Sequence, residues 1–488
     1  MSYLDLTIQQ MHQALVEGLV TSEQLVREAI LRIKNDKTNS FEALALDQAL
    51  EEAKKVTSVG EDEILKGIPF LAKDNYSTKG IETTASSDVL SGYVPIFDAE
   101  VITRLKNAGA ILLGKTTLDE LAMGGTGTTG HKGVTTNPYD NSRIIGGSSC
   151  GSCASVASGI VPFSLGSDTG DSVRKPASYG GIYGFKPTWG RISRFGLFPF
   201  ACSLDTVAYF ARSVYDIAVL TEILAGHDDK DMSSSYKEVE NYSSYLRREN
   251  DKKKIGYFKP ILDAIDDEKI KNSYFKLLDE LKNKGYEVNQ YDFPEELLDA
   301  LYPVYMIISC SEATSNDANL DGVKFGLKPS EEAKTWSEYM SDARTRGFSS
   351  LIKRRFIIGS FSLLAENQEE LFRRAQKARN LIVEEMNKFF LENDYLILPC
   401  AKSVPPKVED VTNKWSKKPD FIDNHLGIAN LGGFPSLTCP LGYENGLPYG
   451  VNITGRQYQE GYVLKCGQDI EDVTKLVNSL CFNHKEGI

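Results

Sequence analysis

Long apolar runs are missing from this chain of 488 residues. No stretch of about 18 apolar residues occurs, so no membrane-spanning helix and no membrane partner are expected. The start, MSYLDLTIQQM, has neither the basic-then-apolar layout of a secretion signal nor the Arg-rich pattern of a transit peptide. Positive charge is also short. Lys and Arg number 55 against 67 Asp and Glu, a formal net charge of −12. The chain therefore has no global attraction for nucleic acid or anionic membrane, and an RNA partner would be held by another chain. Eight cysteines over this length make no disulfide framework, and a reduced cytoplasm is the expected setting.

Histidine is scarce. His12, His131, His227, His425 and His484 form no HxxxH or CxxxH pair. The CxxC of Cys150 and Cys153 thus lacks two further ligands for zinc, and these residues read as small thiols filling a crowded Gly/Ser segment. One GxGxxG does occur, at Gly125, Gly127 and Gly130. It lacks the strand before and the helix after that a dinucleotide fingerprint needs, since a helix, TTLDELAM, is expected ahead of it and a loop, HKGVTTNPYD, behind.

What is present is an ordinary globular composition, 41% hydrophobic and 25% charged. TIQQMHQALVEGL has helical periodicity, and Thr21 with Gln24 forms a capping pattern that opens QLVREAILRI. GIPFLAKDN reads as a buried strand entering a polar loop, AEVITRLKNAG as an amphipathic helix stopped at Gly109, and AILLGK as another strand. Later, KIGYF is strand-like and LDELKNKGYEVNQYDF is helix then strand. EELFRRAQKARNLIVEEMNKFF is a long helix feeding the strand YLILP. PSLTCPLG and PYGVNITG read as strands, and EDVTKLVNSL as a closing helix. This rhythm argues for an α/β layered fold, one large domain with an inserted lobe.

Residues 146–178 read GGSSCGSCASVASGIVPFSLGSDTGDSVRKPAS, two Gly/Ser clusters around a short apolar run. A serine nucleophile needs a base, commonly histidine, and nothing singles out nearby His131. Lysine serves if burial lowers its pKa by several units. Lys73 fits, because IPFLA delivers it from an apolar strand into the loop that holds Asn75; a lysine snorkelling from a strand end fits the same pattern. In SDTGDS, main-chain N–H groups on a tight turn would form an oxyanion hole, or Asp168, Thr169 and Ser172 would cap a helix.

KDN at 73–75, GGSS at 146–149 and GSDTGDSVRKPAS at 166–178 resemble the amidase signature family of Ser–cis-Ser–Lys hydrolases. The step of 24 residues from Ser148 to Ser172 is similar to that family's spacing, and YGFKPTWGRISRFGLFPFACSLDTVAYFARSV continues its pattern. The resemblance implies an α/β amidase-signature fold: a central mixed β-sheet covered by helices on both faces, with an inserted helical lobe. Its signature core would span about 60–215, the variable lobe about 228–350, and a C-terminal part, 351–488, would complete sheet and pocket. GKTTLDELAMG, SEATSNDANLDGVKFG and KRRFIIGSFSL further resemble segments of the glutaminase subunits of aspartyl/glutamyl-tRNA(Asn/Gln) amidotransferases, and the likeness runs from about residue 5 to 470.

That resemblance implies glutamine hydrolysis. Ser172 would attack the carboxamide, and Ser148, after a cis peptide bond, would pass the proton to neutral Lys73. The main-chain N–H groups of Thr169, Gly170, Asp171 and Ser172 would hold the oxyanion. Arg355 would meet the substrate carboxylate, Asp423 its ammonium, and Tyr305 would line the pocket. No metal or organic cofactor is implied in this chain; ATP and Mg²⁺ are expected on a partner, within a heterotrimer completed by amidotransferase subunits B and C. Free glutamine would be the substrate, with charged tRNA reached through the partner. A stand-alone amidase, or a catalytically weak scaffold in the same complex, are the other readings. Two departures stand out: the familiar GGSSGGS reads GGSSCGS, and DTGGS reads DTGDS. Asp171 would need a backbone usually given to glycine. Its carboxylate is expected to turn away from the oxyanion site, with Arg174 or Lys175 as partner.

Overall fold

The computed structural model describes residues 2–482 apart from 329, 331 and 413–420. Its frame is a sheet of eleven strands: β1 (Phe41–Leu44), β2 (Pro69–Lys73), β3 (Ile111–Thr116), β4 (Phe163–Asp168), β5 (Tyr183–Lys186), β6 (Thr206–Ala211), β7 (Lys254–Tyr257), β8 (Glu287–Gln290), β9 (Tyr395–Pro399), β10 (Ser436–Glu444) and β11 (Leu447–Gly455). Their spatial order is β1-β3-β2-β4-β6-β5-β10-β11-β9-β7-β8. β2 runs parallel to β3 and to β4, and β7 runs parallel to β8 and to β9; the remaining pairs are antiparallel. The mixed α/β sheet matches the expected class.

Every residue of β2, β3, β4 and β6 is buried. Strands covered on both faces have no polar side, which is why PFLAK and ILLGKT read as apolar runs rather than as alternations. The caps follow the sequence too. Thr21 Oγ1 accepts from Gln24 N at 3.2 Å while Gln24 Oε1 accepts from Thr21 N at 2.8 Å. Residues 228–350 contribute β7 and β8 at the sheet edge and the long helix Glu295–Asn316. Among the described residues no helix is long and apolar enough to cross a membrane.

Two expected helices come out differently. TTLDELAM forms no regular helix: only Glu120–Ala122 turns, with Leu121 at φ 52° and Ala122 at φ 62°. The reason lies in Asp119, whose carboxylate is drawn off into the loop at 126–129. The closing helix runs over Glu460–Thr474, earlier than EDVTKLVNSL suggests, and stops where Lys475 turns left-handed at φ 58°. His484 lies outside the described residues.

The helix Cys150–Ala157 is buried along its whole length. Only small side chains fit there: a Cβ on Gly151 would lie 2.4 Å from the Ser40 carbonyl oxygen, and one on Gly180 would lie 2.6 Å from Cys153 Sγ. All eight cysteines are free thiols. Cys150 and Cys153 fill the crowded segment, and burial pushes the Cys150 thiol up to about 12.

Candidate functional site

β2 and β4 are parallel neighbours, with Ala72 opposite Leu165. Their carboxyl ends therefore open on the same edge of the sheet, the usual place for a site in such sheets. β2 ends in Lys73, and β4 runs into the turn 169–173.

Lys73 is fully buried. Its Nζ donates to Ser148 Oγ at 2.7 Å and to Ser167 Oγ at 2.9 Å, and it lies 3.4 Å from the Ser167 carbonyl oxygen. Burial pulls the amine down to about 7, against the opposing fields of Asp119, Asp168 and Asp205. At neutral pH a large fraction of it is uncharged. A snorkelling lysine would keep its head in water; this one does not.

The Gly147–Ser148 peptide bond is cis. Ser148 is pinned through its carbonyl, which accepts from Asp119 N at 3.1 Å. Next along, Ser149 N donates to the Ser172 carbonyl at 3.2 Å and Ser149 Oγ to the Ser167 carbonyl at 3.1 Å. These bonds stitch the two Gly/Ser clusters together and leave Ser172 almost wholly buried at the head of the turn.

The turn itself is held from outside. Asp168 accepts from Val173 N at 2.9 Å and pairs with Arg174 NH2 at 2.9 Å, both groups fully buried. Asp168 thus serves the amides that open the helix Arg174–Gly180 from outside its N-cap position, which is Val173 and has no side-chain cap; the N-cap expected of Asp168, Thr169 and Ser172 is not formed, and a separate feature lies beside it. Among the described residues, the main-chain N–H groups of Gly170, Asp171 and Ser172 have no acceptor within the protein. Thr169 is fixed through its hydroxyl, which donates to Asp205 Oδ1 at 2.7 Å. Neither Gly170 nor Asp171 takes a left-handed φ, so the glycine-like backbone expected at 171 is not required. The Asp171 carboxylate turns to Lys175, Oδ2 to Nζ 2.6 Å.

Tyr305, on the helix Glu295–Asn316, covers this turn: a Cβ on Gly170 would lie 3.1 Å from its ring. Burial raises its phenol, with Arg355 pulling the other way. Arg355 sits on the helix Ser350–Leu363, its guanidinium 5.7 Å from the Phe200 ring centroid and NH1 3.8 Å from Met306 Sδ. It borders a cavity of about 400 Å³ shared with Gly124, Thr126 and Thr128. Asp423 is half-exposed; its Oδ2 lies 3.8 Å from Lys402 Nζ, and its carbonyl accepts from Lys175 Nζ at 2.6 Å. Lys73 and Ser148 thus meet directly, the Ser149–Ser172 bond sets the 169–172 turn beside them with Tyr305 over Gly170, Lys175 links the turn to Asp423, and Arg355 stands at Met306 on the helix that carries Tyr305.

Sequence reasoning missed four supporting residues. Ser167 is a third hydroxyl on Lys73, and Asn75 Nδ2 donates to its Oγ at 2.9 Å. Both lie inside the KDN and GSDTGDS motifs, but only strand register reveals that they meet. Asp205 anchors Thr169. Asp119 accepts from the N–H groups of Thr126, Gly127, Thr128 and Thr129 at 3.0–3.2 Å. The GxGxxG loop is therefore a nest already filled by the chain's own carboxylate. His131 is no base: burial alone would lower it, but Glu42 and Asp88 raise it to about 9, a cation held between two acids. Among the described residues, no cluster of three His, Cys, Asp or Glu side chains is arranged to hold a metal.

The amidase family profile matches residues 24–464. The A subunit of glutamyl-tRNA(Gln) amidotransferase from Pediococcus pentosaceus is 36% identical over 485 residues, covering 98% of each chain. The same-named protein of Streptococcus pneumoniae is 36% identical over 479 residues, covering 97% of each. Among solved structures, the corresponding A subunit of Thermotoga maritima superposes with a TM-score of 0.78 at 30% identity, over 97% of this chain and 95% of that one. The peptide amidase of Stenotrophomonas maltophilia superposes with a TM-score of 0.80 at 26% identity, over 97% and 98%.

Proposed function

The chain belongs to the amidase family, and on that footing we propose that it hydrolyses glutamine to glutamate and ammonia as the glutaminase component of a tRNA-dependent amidotransferase. Ser172 Oγ attacks the carboxamide carbon while its proton passes to Ser148 Oγ, whose own proton passes to neutral Lys73. The N–H groups of residues 169–172, free of internal acceptors at 170–172, receive the negative oxygen. Collapse expels the amine, which takes the proton from Lys73 by way of Ser148 and leaves as ammonia. Water then attacks the glutamyl ester by the reverse relay and regenerates Ser172.

Arg355 holds the α-carboxylate as a charge-assisted pair, Asp423 takes the α-ammonium, and Tyr305 walls the pocket. Ammonia passes to a partner chain that carries ATP, Mg²⁺ and the mischarged tRNA; subunits B and C complete a cytoplasmic heterotrimer. The chain's negative charge agrees with leaving RNA to the partner.

One observation carries this reading: a fully buried amine, lowered to about 7, lies 2.7 Å from Ser148 Oγ at the mouth of the turn that ends in Ser172. Purification from the native host, followed by comparison of glutamine with aliphatic and aryl amides, tests it. Release of ammonia from glutamine, lost in Ser172→Ala, is expected. Turnover of the simple amides without glutamine would mean a stand-alone amidase, and no turnover of any amide would mean a scaffold.

A further inference from the structure

Asp171 and Lys175 form a feature that the proposed reaction does not use. The Lys175 ammonium makes two short contacts in different directions, 2.6 Å to Asp171 Oδ2 and 2.6 Å to the carbonyl oxygen of Asp423. The first ties it to the oxyanion turn and the second to the segment that carries the candidate ammonium acceptor. Its main chain is fixed as well, because Lys175 N donates to the Asp171 carbonyl at 3.0 Å. The buried Tyr179, one helical turn further on, feels the charges of Lys175, Asp423 and Asp171.

Other side chains tie the same two segments together, but at other points. Arg174 donates to the Leu426 carbonyl at 2.6 Å and to the Gly170 carbonyl at 2.7 Å, and Asn430 Nδ2 donates to the Asp168 carbonyl at 3.0 Å. These fix 426–430 against the turn. Lys175 reaches 423 itself. It bonds there to the carbonyl and leaves the carboxylate to a looser ion pair with Lys402, Oδ2 to Nζ 3.8 Å, longer than a hydrogen bond.

The chemistry explains why an acid stands at 171 when a base stands at 175. A second unpaired ammonium beside Asp423, added to that of Lys402, would compete further for its carboxylate and repel a substrate ammonium. Paired to Asp171, Lys175 is neutralised and steered to the carbonyl, and its several donors satisfy both acceptors at once. We propose that Asp171 and Lys175 are positioning residues that set the reach from the oxyanion turn to the Asp423 carboxylate, and so determine how well the site binds an amide bearing an α-ammonium group. This rests on the glutaminase reading.

The test compares glutamine with glutarate monoamide, which has the same carboxamide and carboxylate but no amino group, using the protein with the chains that co-purify from its host. Lys175→Met is expected to raise KM for glutamine about tenfold, the loss of one charge-assisted contact, with a smaller change in kcat. Kinetics on the monoamide should stay within about twofold, and Lys175→Arg should recover most of the glutamine KM. In an Asp423→Asn background, Lys175→Met should add nothing further. Lys175→Gln, which keeps a polar side chain, reads the same contact if the Met variant does not fold. Equal losses on both substrates, or an undiminished loss in the Asp423→Asn background, would overturn the inference alone. Absence of glutamine turnover by the native protein would remove the functional reading, and this inference with it.

Discussion

Two lysines lie buried on neighbouring strands a few ångströms of sheet apart, and the protein treats them oppositely. Lys115 on β3 stands opposite Ala72 on β2, so it shares the face of Ala72 and points away from the face of Lys73. Its ammonium is fully provided for: Asp74 Oδ1 at 3.1 Å, the Tyr76 carbonyl at 2.7 Å and Thr83 Oγ1 at 3.1 Å. Lys73 has hydroxyls and a carbonyl, and among the described residues no carboxylate pairs with it. Burial lowers both amines, but Asp74 supports the charge on Lys115 while nothing so close supports it on Lys73. One lysine is a structural cation. The other is an amine near its neutral form, the state a base requires.

Replacing each lysine should break the comparison most sharply. Lys73→Ala should lower glutamine hydrolysis by about 10⁴-fold or more, as loss of a relay member does in comparable hydrolases. It should leave the fold intact, measured by initial rates beside a thermal melt. Lys115→Met should do the reverse. It strands a buried Asp74 carboxylate without its partner, at about 3–5 kcal/mol of stability, seen as a lower melting temperature whether or not activity survives in the folded fraction.

The pH response sharpens the same point. With Lys73 titrating near 7, kcat/KM should rise about tenfold per pH unit below 7 and level off above it, the sign expected when the deprotonated form is the active one. The folded amine binds its proton less tightly than an exposed lysine, so its contribution to stability is level below pH 7 and improves as pH rises toward the ordinary lysine range. Lys73→Met should therefore melt higher than the native chain at pH 6. A flat rate profile between pH 6 and 8 would remove Lys73 as the base.

The smallest effect concerns the departure from the family pattern. Because the Asp171 carboxylate is engaged by Lys175 at 2.6 Å, Asp171→Gly should change kcat by less than about tenfold, the scale of one solvent-accessible charge in a preorganised site. A gain of a hundredfold would mean that the native carboxylate impairs the oxyanion turn.

Much of the frame was legible in the sequence because burial on both faces writes itself as uninterrupted apolar text. PFLAK, ILLGKT and YLILP are strands for that reason, and Thr21 with Gln24 announced its cap. The candidate hydroxyls and Lys73 were legible from three short motifs. What could not be read was anything that depends on register or on long-range capture of a side chain. Ser167 meets Lys73 only because β2 and β4 are parallel neighbours. TTLDELAM has helical propensity, yet Asp119 finds four amide donors beyond it, and local preference yields to them. The turn at 171 looked strained on composition, and its φ is not left-handed.

The glycine loop at 124–130 carries its own resident anion. A phosphate or carboxylate entering the neighbouring cavity finds those amides already committed to Asp119, and must seek its counter-charge at Arg354 and Arg355, which line the same cavity. Trading Asp119 for a neutral residue would thus not merely loosen a loop. It would reopen a vacant anion hole and turn a directional cleft into an ambiguous one.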